Sequence, residues 1–309
     1  MRVWRALDEV DVGAGERSVV TVGVFDGVHR GHRHVIDGVI GRARELGATA
    51  VVVTFDPHPM SVVRPGQEPL QVSTVEHRLA LLDDEGVDAV LVLPFTSERA
   101  QQSAADFVGE VLAGALHAIE VHVGENFRFG HRAAGTVDTL RELGPAYGFQ
   151  VRPVALAGDA RTWSSTYVRE HLAEGDVEGA AATLGRPHRL EGPVVEGDKR
   201  GRELGYPTAN LDVGDGAAVP SDGIYAGWLV LDDGRAMPAA ISIGTNPTFG
   251  GTTRRVEGYV LDRDDLELYG EHVALDFAHR LRDTLHFDDV DGLLAQIADD
   301  VRRTRELTA

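Results

Sequence analysis

The stretch TVGVFDGVHRGH (residues 21–32) decides the reading of the chain, because an apolar run breaks there at glycines and an aspartate and two histidines follow three residues apart. The run SVVTVGVF (18–25) reads as a strand buried on both faces. Residues 32–47 then carry apolar positions at helical spacing. In open α/β folds, the carboxyl edge of the sheet, where a strand turns into a helix, is where ligands bind. Gly23 and Gly27 let the backbone approach a ligand closely, and a helix beginning near Gly31 offers N–H groups to a phosphate. His29 and His32, about one helical turn apart, face the same point. Both imidazoles can donate hydrogen bonds to the extra negative charge that develops when a nucleotide's α-phosphate is attacked. Histidines at a helix start are also ordinary caps, so the pair alone leaves both roles open.

Outward from this stretch the same alternation continues. TAVVVTF (49–55), DAVLVLPF (88–95), AIEVHVG (118–124) and FQVRPVAL (149–156) read as further buried strands. Residues 75–86, 103–114 and 136–147 have helical periodicity between them. The pattern predicts a Rossmann-like α/β domain, a parallel sheet with helices on both faces. Two more helical segments, 164–174 and 176–184, precede a change of texture to glycine, proline and short strands at 188–196, 223–231, 236–243, 254–262 and 272–277. That texture predicts a small barrel or sandwich rather than more parallel sheet, with a closing amphipathic helix over about 288–307. The boundary falls near Gly185, giving domains 1–185 and 186–309.

Composition agrees with two domains, since 309 residues with 43% hydrophobic content exceed one ordinary core. The net charge of −19, from 49 acidic against 30 basic residues, argues against nucleic-acid or anionic-membrane partners. Anionic ligands must therefore be held by local dipoles and a few cations. The chain has no cysteine, which removes disulfides, thiolate metal sites and cysteine nucleophiles. The residues after Met1 lack the apolar core of a secretory signal and no apolar run reaches membrane-spanning length, so a cytoplasmic location is expected. Homo-oligomer formation stays open.

Lys199 is the sole lysine and lies in GDKRGRELGYPTANL (197–211). Gly197, Gly201 and Gly205 with Lys199, Arg200 and Arg202 suit a loop that wraps a triphosphate, although no Walker sequence is present. Lys199 is either retained for its compact ammonium or left by chance on a solvated turn. Thr208 and Asn210 supply two hard oxygens on one extended face, suited to Mg²⁺ that keeps water and phosphate as its other ligands. YPTAN by itself reads equally as a proline turn.

The stretch GVFDGVHRGH resembles the His-x-Gly-His phosphate-binding signature of the nucleotidyltransferase superfamily. Together with TFDPHP (54–59), GENFRFG (124–130) and RTWSSTYVRE (161–170), it resembles the bacterial bifunctional riboflavin kinase/FMN adenylyltransferase family, the FAD synthetases. In the second half, GDKRGRELGYPTANL resembles the flavokinase signature, and ISIGTNPTFGG (241–251), RRVEGYVLD (255–262 within it) and LYG (268–270) follow in that family's order. Tyr259 departs from it, standing where many relatives carry histidine, a difference that bears on flavin contacts and not on Glu257.

The resemblance implies a flavokinase-type antiparallel β-barrel for the second half, and riboflavin, FMN, FAD and ATP as substrates or products, with Mg²⁺ in both steps. It implies that His29 and His32 contact ATP phosphates, with Gly23, Asp26 and Gly31 shaping the turn and Asn126 and Arg161 adding polar contacts. Ser164, Ser165, Thr166 and Arg169 start a helix and can grip the β- and γ-phosphates, while also forming an ordinary N-cap with Glu170 nearby. Phe55, Asp56, His58, Pro59, Phe127 and Arg128 would meet the flavin. In the second half, Gly197, Lys199, Gly201, Arg202, Pro207, Thr208 and Asn246 would hold ATP, Thr208 and Asn210 the metal, and Glu257 would be the base. An aminoacyl-tRNA synthetase would share His-x-Gly-His but needs a second lysine-rich loop, which a chain with one lysine cannot supply. A chain with one silent domain, or a flavin- or nucleotide-binding regulator, is the remaining alternative; the intact His29, His32, Thr208, Asn210 and Glu257 oppose it.

Overall fold

The computed structural model describes residues 1–13, 15–197, 201, 204–245 and 254–309. Their contacts form two compact units, Met1–Pro69 with Val75–Ser164, and Leu70–Thr74 with Ser165–Ala309. Among the described residues no helix is long and apolar enough to cross a membrane.

In the first unit the strands are β1 (Arg2–Trp4), β2 (Ser18–Val22), β3 (Thr49–Asp56), β4 (Ala89–Pro94), β5 (Ala118–Gly124) and β6 (Gln150–Val154). The helices are α1 (Arg30–Leu46), α2 (Pro59–Val63), α3 (Val75–Asp84), α4 (Ser97–Gln101), α5 (Ala104–Phe107) and α6 (Val137–Tyr147), with a π-helical continuation of α5 over Val108–Ala115. The sheet is wholly parallel, in the order β1-β4-β3-β2-β5-β6. Adjacent residues of one strand enter opposite cores: Val20 and Val22 pack with Val53, Leu91 and Leu112, whereas Val19 packs with Val52, Ile36 and Leu82. Burial of both faces is why these strands read as unbroken apolar runs. The chain leaves β2 toward β3 on one side while β5 lies on the other. That reversal is the topological switch point, and the histidine stretch lies at its carboxyl edge.

The strand expected over 18–25 ends at Val22, because Phe25, Gly27 and Val28 take φ of +53°, +77° and +36°. Such left-handed backbone cannot continue a ladder. The expected helices otherwise stand within a few residues of their predicted bounds. β1, α2 and α4 are additions, too short at three to five residues for periodicity to reveal.

The second unit opens with α7 (Ser165–Glu174) and α8 (Val177–Leu184). Strands β7 (His188–Val195), β8 (Ala209–Leu211), β9 (Gly223–Leu231), β10 (Ala236–Gly244), β11 (Arg255–Val260) and β12 (His272–Arg282) follow, then α9 (Val290–Leu307). The strands close into an antiparallel barrel, β10-β11-β8-β7-β12-β9, with β9 returning to β10. Leu190, Leu229, Ile241, Val256 and Leu275 form its core, joined by Val168, Leu172, Val177 and Leu184 of α7 and α8. These two helices, which the sequence groups with residues 1–185, thus pack with the barrel. The grouping concerns packing; the division of chemical labour is a separate property. β12 runs five residues past its expected end at Phe277, since register shifts at Phe277/His279 and Arg280/Arg282 destroy the alternation that marks a strand.

Candidate active sites

In the first unit, His29 is both a candidate phosphate contact and the N-cap of α1. Its Nδ1 accepts the His32 backbone N–H at 3.3 Å. A neutral imidazole that accepts at Nδ1 carries its proton on Nε2, so His29 is set as a donor from that edge. The His29 and His32 rings stack at 3.6 Å with 22° between their planes, and Phe25 meets His32 edge-on at 5.0 Å. The two rings thus share one face at the start of α1. His29 and Asp26 are buried, 5% and 2% exposed, so this face is embedded in the turn.

Gly31 has a specific steric reason. A Cβ there would lie 3.1 Å from the Trp163 carbonyl oxygen and 3.2 Å from the His29 ring. The Arg30 guanidinium covers the Trp163 ring at 3.9 Å and reaches Asp159 at 3.5 Å. RTWSS, the stretch holding Arg161 and Ser164, is therefore brought against the start of α1. Arg30 and Trp163 were not singled out from the sequence; Arg30 occupies the unspecified position of the signature. Gly23 likewise lies beside Phe25, whose ring would be 3.1 Å from a Cβ.

The residues expected to meet flavin divide by burial. Phe55 is half-buried against Phe95, edge-on at 5.6 Å, and Asp56 ends β3 exposed. His58 caps α2, accepting from the Met60 N–H at 3.1 Å, with Pro59 in the first turn. Phe127 is half-buried and stacks at 5.4 Å on Phe129, which belongs to the core. Asn126 and Arg128 are exposed on the loop after β5, across the switch point from the histidines. Thr166 and Arg169 stand at the start of α7 in the second unit, where Arg169 Nε donates to the Leu70 carbonyl.

The second unit brings Asn210 and Glu257 directly opposite each other on β8 and β11. On an antiparallel pair such partners have Cβ atoms about 5 Å apart on one face. Glu257 is paired again with Ser242 of β10, and Val256, Gly258 and Val260 turn inward, so the carboxylate lies on the barrel's outer face. It is only 15% exposed, with Arg255 Nη1 at 3.9 Å. Tyr259, two residues along, meets Tyr206 edge-on at 5.2 Å, and burial pushes its hydroxyl above the usual tyrosine range. Pro207 and Thr208 line a small cleft with Arg263, Leu266 and Tyr269.

Two of the three glycines of the preceding loop, Gly197 and Gly201, serve this face. A Cβ at Gly197 would fall 2.4 Å from the Asn210 amide, and one at Gly201 2.4 Å from the Tyr206 carbonyl and 3.6 Å from Thr208 Oγ1. Asn210 Oδ1 is buried and has no hydrogen-bond partner among the described residues. A buried carbonyl oxygen without a donor is costly unless something else satisfies it. Together with Thr208, it fits a hard divalent cation such as Mg²⁺, and among the described residues no cluster of histidine or carboxylate offers an alternative. Lys199, Arg202 and Asn246, and with them the question of the ammonium, lie outside the described residues.

A family model described as FAD synthetase matches residues 13–167, and one described as riboflavin kinase matches residues 184–308. The curated bifunctional riboflavin kinase/FMN adenylyltransferase of Escherichia coli (strain K12) is 33% identical over 308 residues, 99% of this chain and 97% of that one. Its counterpart in Pseudomonas fluorescens is 36% identical over 293 residues, 94% and 93% of the two chains. A solved structure from Streptococcus pneumoniae, described as a macrolide-efflux protein, superposes with a TM-score of 0.86 at 32% identity, covering 98% of each chain.

Proposed function

The chain belongs to the family of bifunctional riboflavin kinases/FMN adenylyltransferases, and on that premise we propose that it makes FAD from riboflavin in two ATP-consuming steps. Riboflavin is phosphorylated at its ribityl 5′-hydroxyl, giving FMN and ADP. FMN is then adenylylated, giving FAD and pyrophosphate. We assign adenylylation to residues 1–185 and phosphorylation to 186–309, a division supported by family matches that end at residue 167 and resume at 184.

In the kinase step, Glu257 takes the proton of the 5′-hydroxyl as that oxygen attacks the γ-phosphorus in line and the bond to ADP breaks. The cross-strand position of Glu257 beside Asn210 is the observation that carries this assignment. Thr208 and Asn210 would hold Mg²⁺, which in these reactions clamps anionic phosphate oxygens. The resemblance assigns Lys199, Arg202 and Asn246, with the backbone at Gly197 and Gly201, to the triphosphate.

In the adenylylation step, an FMN phosphate oxygen attacks the α-phosphorus of ATP and the bond to pyrophosphate breaks. His29 and His32 donate to the phosphate oxygens on which charge accumulates, and the N-terminus of α1 adds its dipole. Phe55 and Phe127 present ring faces to the flavin and Arg128 its charge to the FMN phosphate. The resemblance assigns Asn126, Arg161, Ser164, Thr166 and Arg169 to ATP. A chain that consumes ATP and has no cysteine suits a cytoplasmic setting.

The test is a time course with riboflavin, ATP and Mg²⁺, the flavins being separated by chromatography. FMN should rise and give way to FAD. Glu257→Gln should stop FMN formation and leave FMN-to-FAD conversion intact. Replacing His29 and His32 by alanine should do the reverse, lowering adenylylation on the order of a hundredfold or more. Loss of both reactions from either change would overturn the separation of sites.

A further inference from the structure

One charged side chain in the first unit is buried without contributing to either set of residues above. Arg78 lies on α3 beside Leu79 and Leu82 and is 2% exposed. Its Nη1 donates to Thr54 Oγ1 at 3.1 Å and to the Phe55 carbonyl at 3.4 Å. The Thr54 hydroxyl donates onward to the Val24 carbonyl at 2.8 Å. Val24 opens the turn in which Phe25, Gly27 and Val28 take positive φ, and that turn delivers His29. Phe55 and Asp56 are the strand end assigned to the flavin side.

Burying a guanidinium is expensive, and an apolar residue could fasten a helix to a sheet. Burial lowers the proton affinity of Arg78, and the charges of Asp26 and Asp56 oppose that. These two carboxylates belong to the same two chain segments that the guanidinium joins. Its Nε has no hydrogen-bond partner among the described residues, so the group's own hydrogen bonding is incomplete while both of its acceptors serve substrate-bearing loops.

We propose that Arg78 is a positioning residue for FMN adenylylation: through Thr54 it fixes the turn before His29, and through the Phe55 carbonyl it fixes the flavin-side strand end. The attacking phosphate and the α-phosphorus then meet in line. The proposal rests on the adenylyltransferase reading of the first half. Arg78 touches neither substrate, so its removal should disturb alignment more than affinity, and a displacement of about 1 Å can cost on the order of a hundredfold in rate.

The experiment uses the full chain with Arg78→Met, Arg78→Lys, Thr54→Val and the Arg78→Met/Thr54→Val double variant. FMN-to-FAD turnover, both Michaelis constants and riboflavin-to-FMN turnover are measured on each preparation. Arg78→Met should lower adenylylation kcat by about 10- to 100-fold with Michaelis constants within about threefold. Phosphorylation in the same chain should be unchanged. Arg78→Lys, which restores charge without the fork, should recover part of the loss. The double variant should lose less than the product of the two single losses, because the Arg78–Thr54 hydrogen bond is counted in both. Full adenylylation turnover in Arg78→Met, or multiplied losses in the double variant, would overturn the proposal. If Arg78→Met fails to fold, Thr54→Val decides: a clear drop in adenylylation kcat sustains the proposal and wild-type turnover refutes it. A wild-type chain that makes no FAD from FMN removes the underlying reading and the proposal with it.

Discussion

At two glycines a missing side chain makes room for a candidate site residue, His29 in one case and Asn210 in the other. At Gly31 a methyl group would press on the Trp163 carbonyl and the His29 ring at once, both closer than ordinary van der Waals contact. Gly31→Ala should therefore tilt the stacked histidines, at an overpacking cost of about 1–3 kcal/mol. Adenylylation should fall about tenfold or more with phosphorylation unaffected, as the two turnover assays would read. At Gly197 the added carbon would displace the Asn210 amide. Gly197→Ala should raise the Mg²⁺ concentration for half-maximal riboflavin phosphorylation by about tenfold, measured by metal titration. His29 and His32 were legible in the sequence because their spacing and their place after a strand carry geometric meaning. Arg78 was not, since an arginine in a helix next to glutamate and histidine reads as part of a solvated face. Only the tertiary packing of α3 reveals that it faces inward.

At the scale of elements, α9 is held to β12 by Arg282 and Asp300, joined at 2.6–3.1 Å with the carboxylate 5% exposed. Breaking a buried pair from one side costs about 3–5 kcal/mol. Asp300→Ala should lower the thermal midpoint of the barrel by several degrees, detected by calorimetry. A second buried pair, Glu120 and His122 on β5, ties that strand to α1 through Arg42, 2.8 Å from Glu120. Burial lowers the His122 pKa below its ordinary 6.5, so the unfolded chain takes up a proton that the folded chain refuses, and stability falls as pH drops through that value. Glu120 is held below its ordinary 4.5 by Arg42 and His122 against the opposing effect of burial, so its contribution is lost at lower pH still. His122→Gln should flatten the dependence of the unfolding midpoint on pH between about 5 and 7. Elements buried on both faces were legible, for their apolar runs leave little choice. The three-residue β8 was not, and β12 was legible only as far as Phe277, because short pairings and bulges lack periodicity.

At the scale of the molecule, the helices α7 and α8 belong to the packing of the barrel. Val168, Leu172, Val177 and Leu184 are each at most 1% exposed within its core. A fragment of residues 165–309 should be more stable in urea than one of 186–309, by several kcal/mol at about 1.5–3 kcal/mol for each buried side chain lost. Equal midpoints would show that the helices are passengers. Sequence texture located the change from parallel sheet to barrel because strand length and turn residues differ between the two. It could not assign the intervening helices, whose apolar faces fit either neighbour. The barrel's closure has a further consequence for time rather than space. β11 is hydrogen-bonded on both flanks, to β8 and to β10. Its amide protons can therefore exchange with deuterated solvent only through openings that rupture the cylinder, whereas the first turn of α1, which bears the histidines, can fray by itself. The two chemistries should thus sit at opposite ends of the chain's exchange spectrum, with the carboxylate on a slow clock and the imidazoles on a fast one.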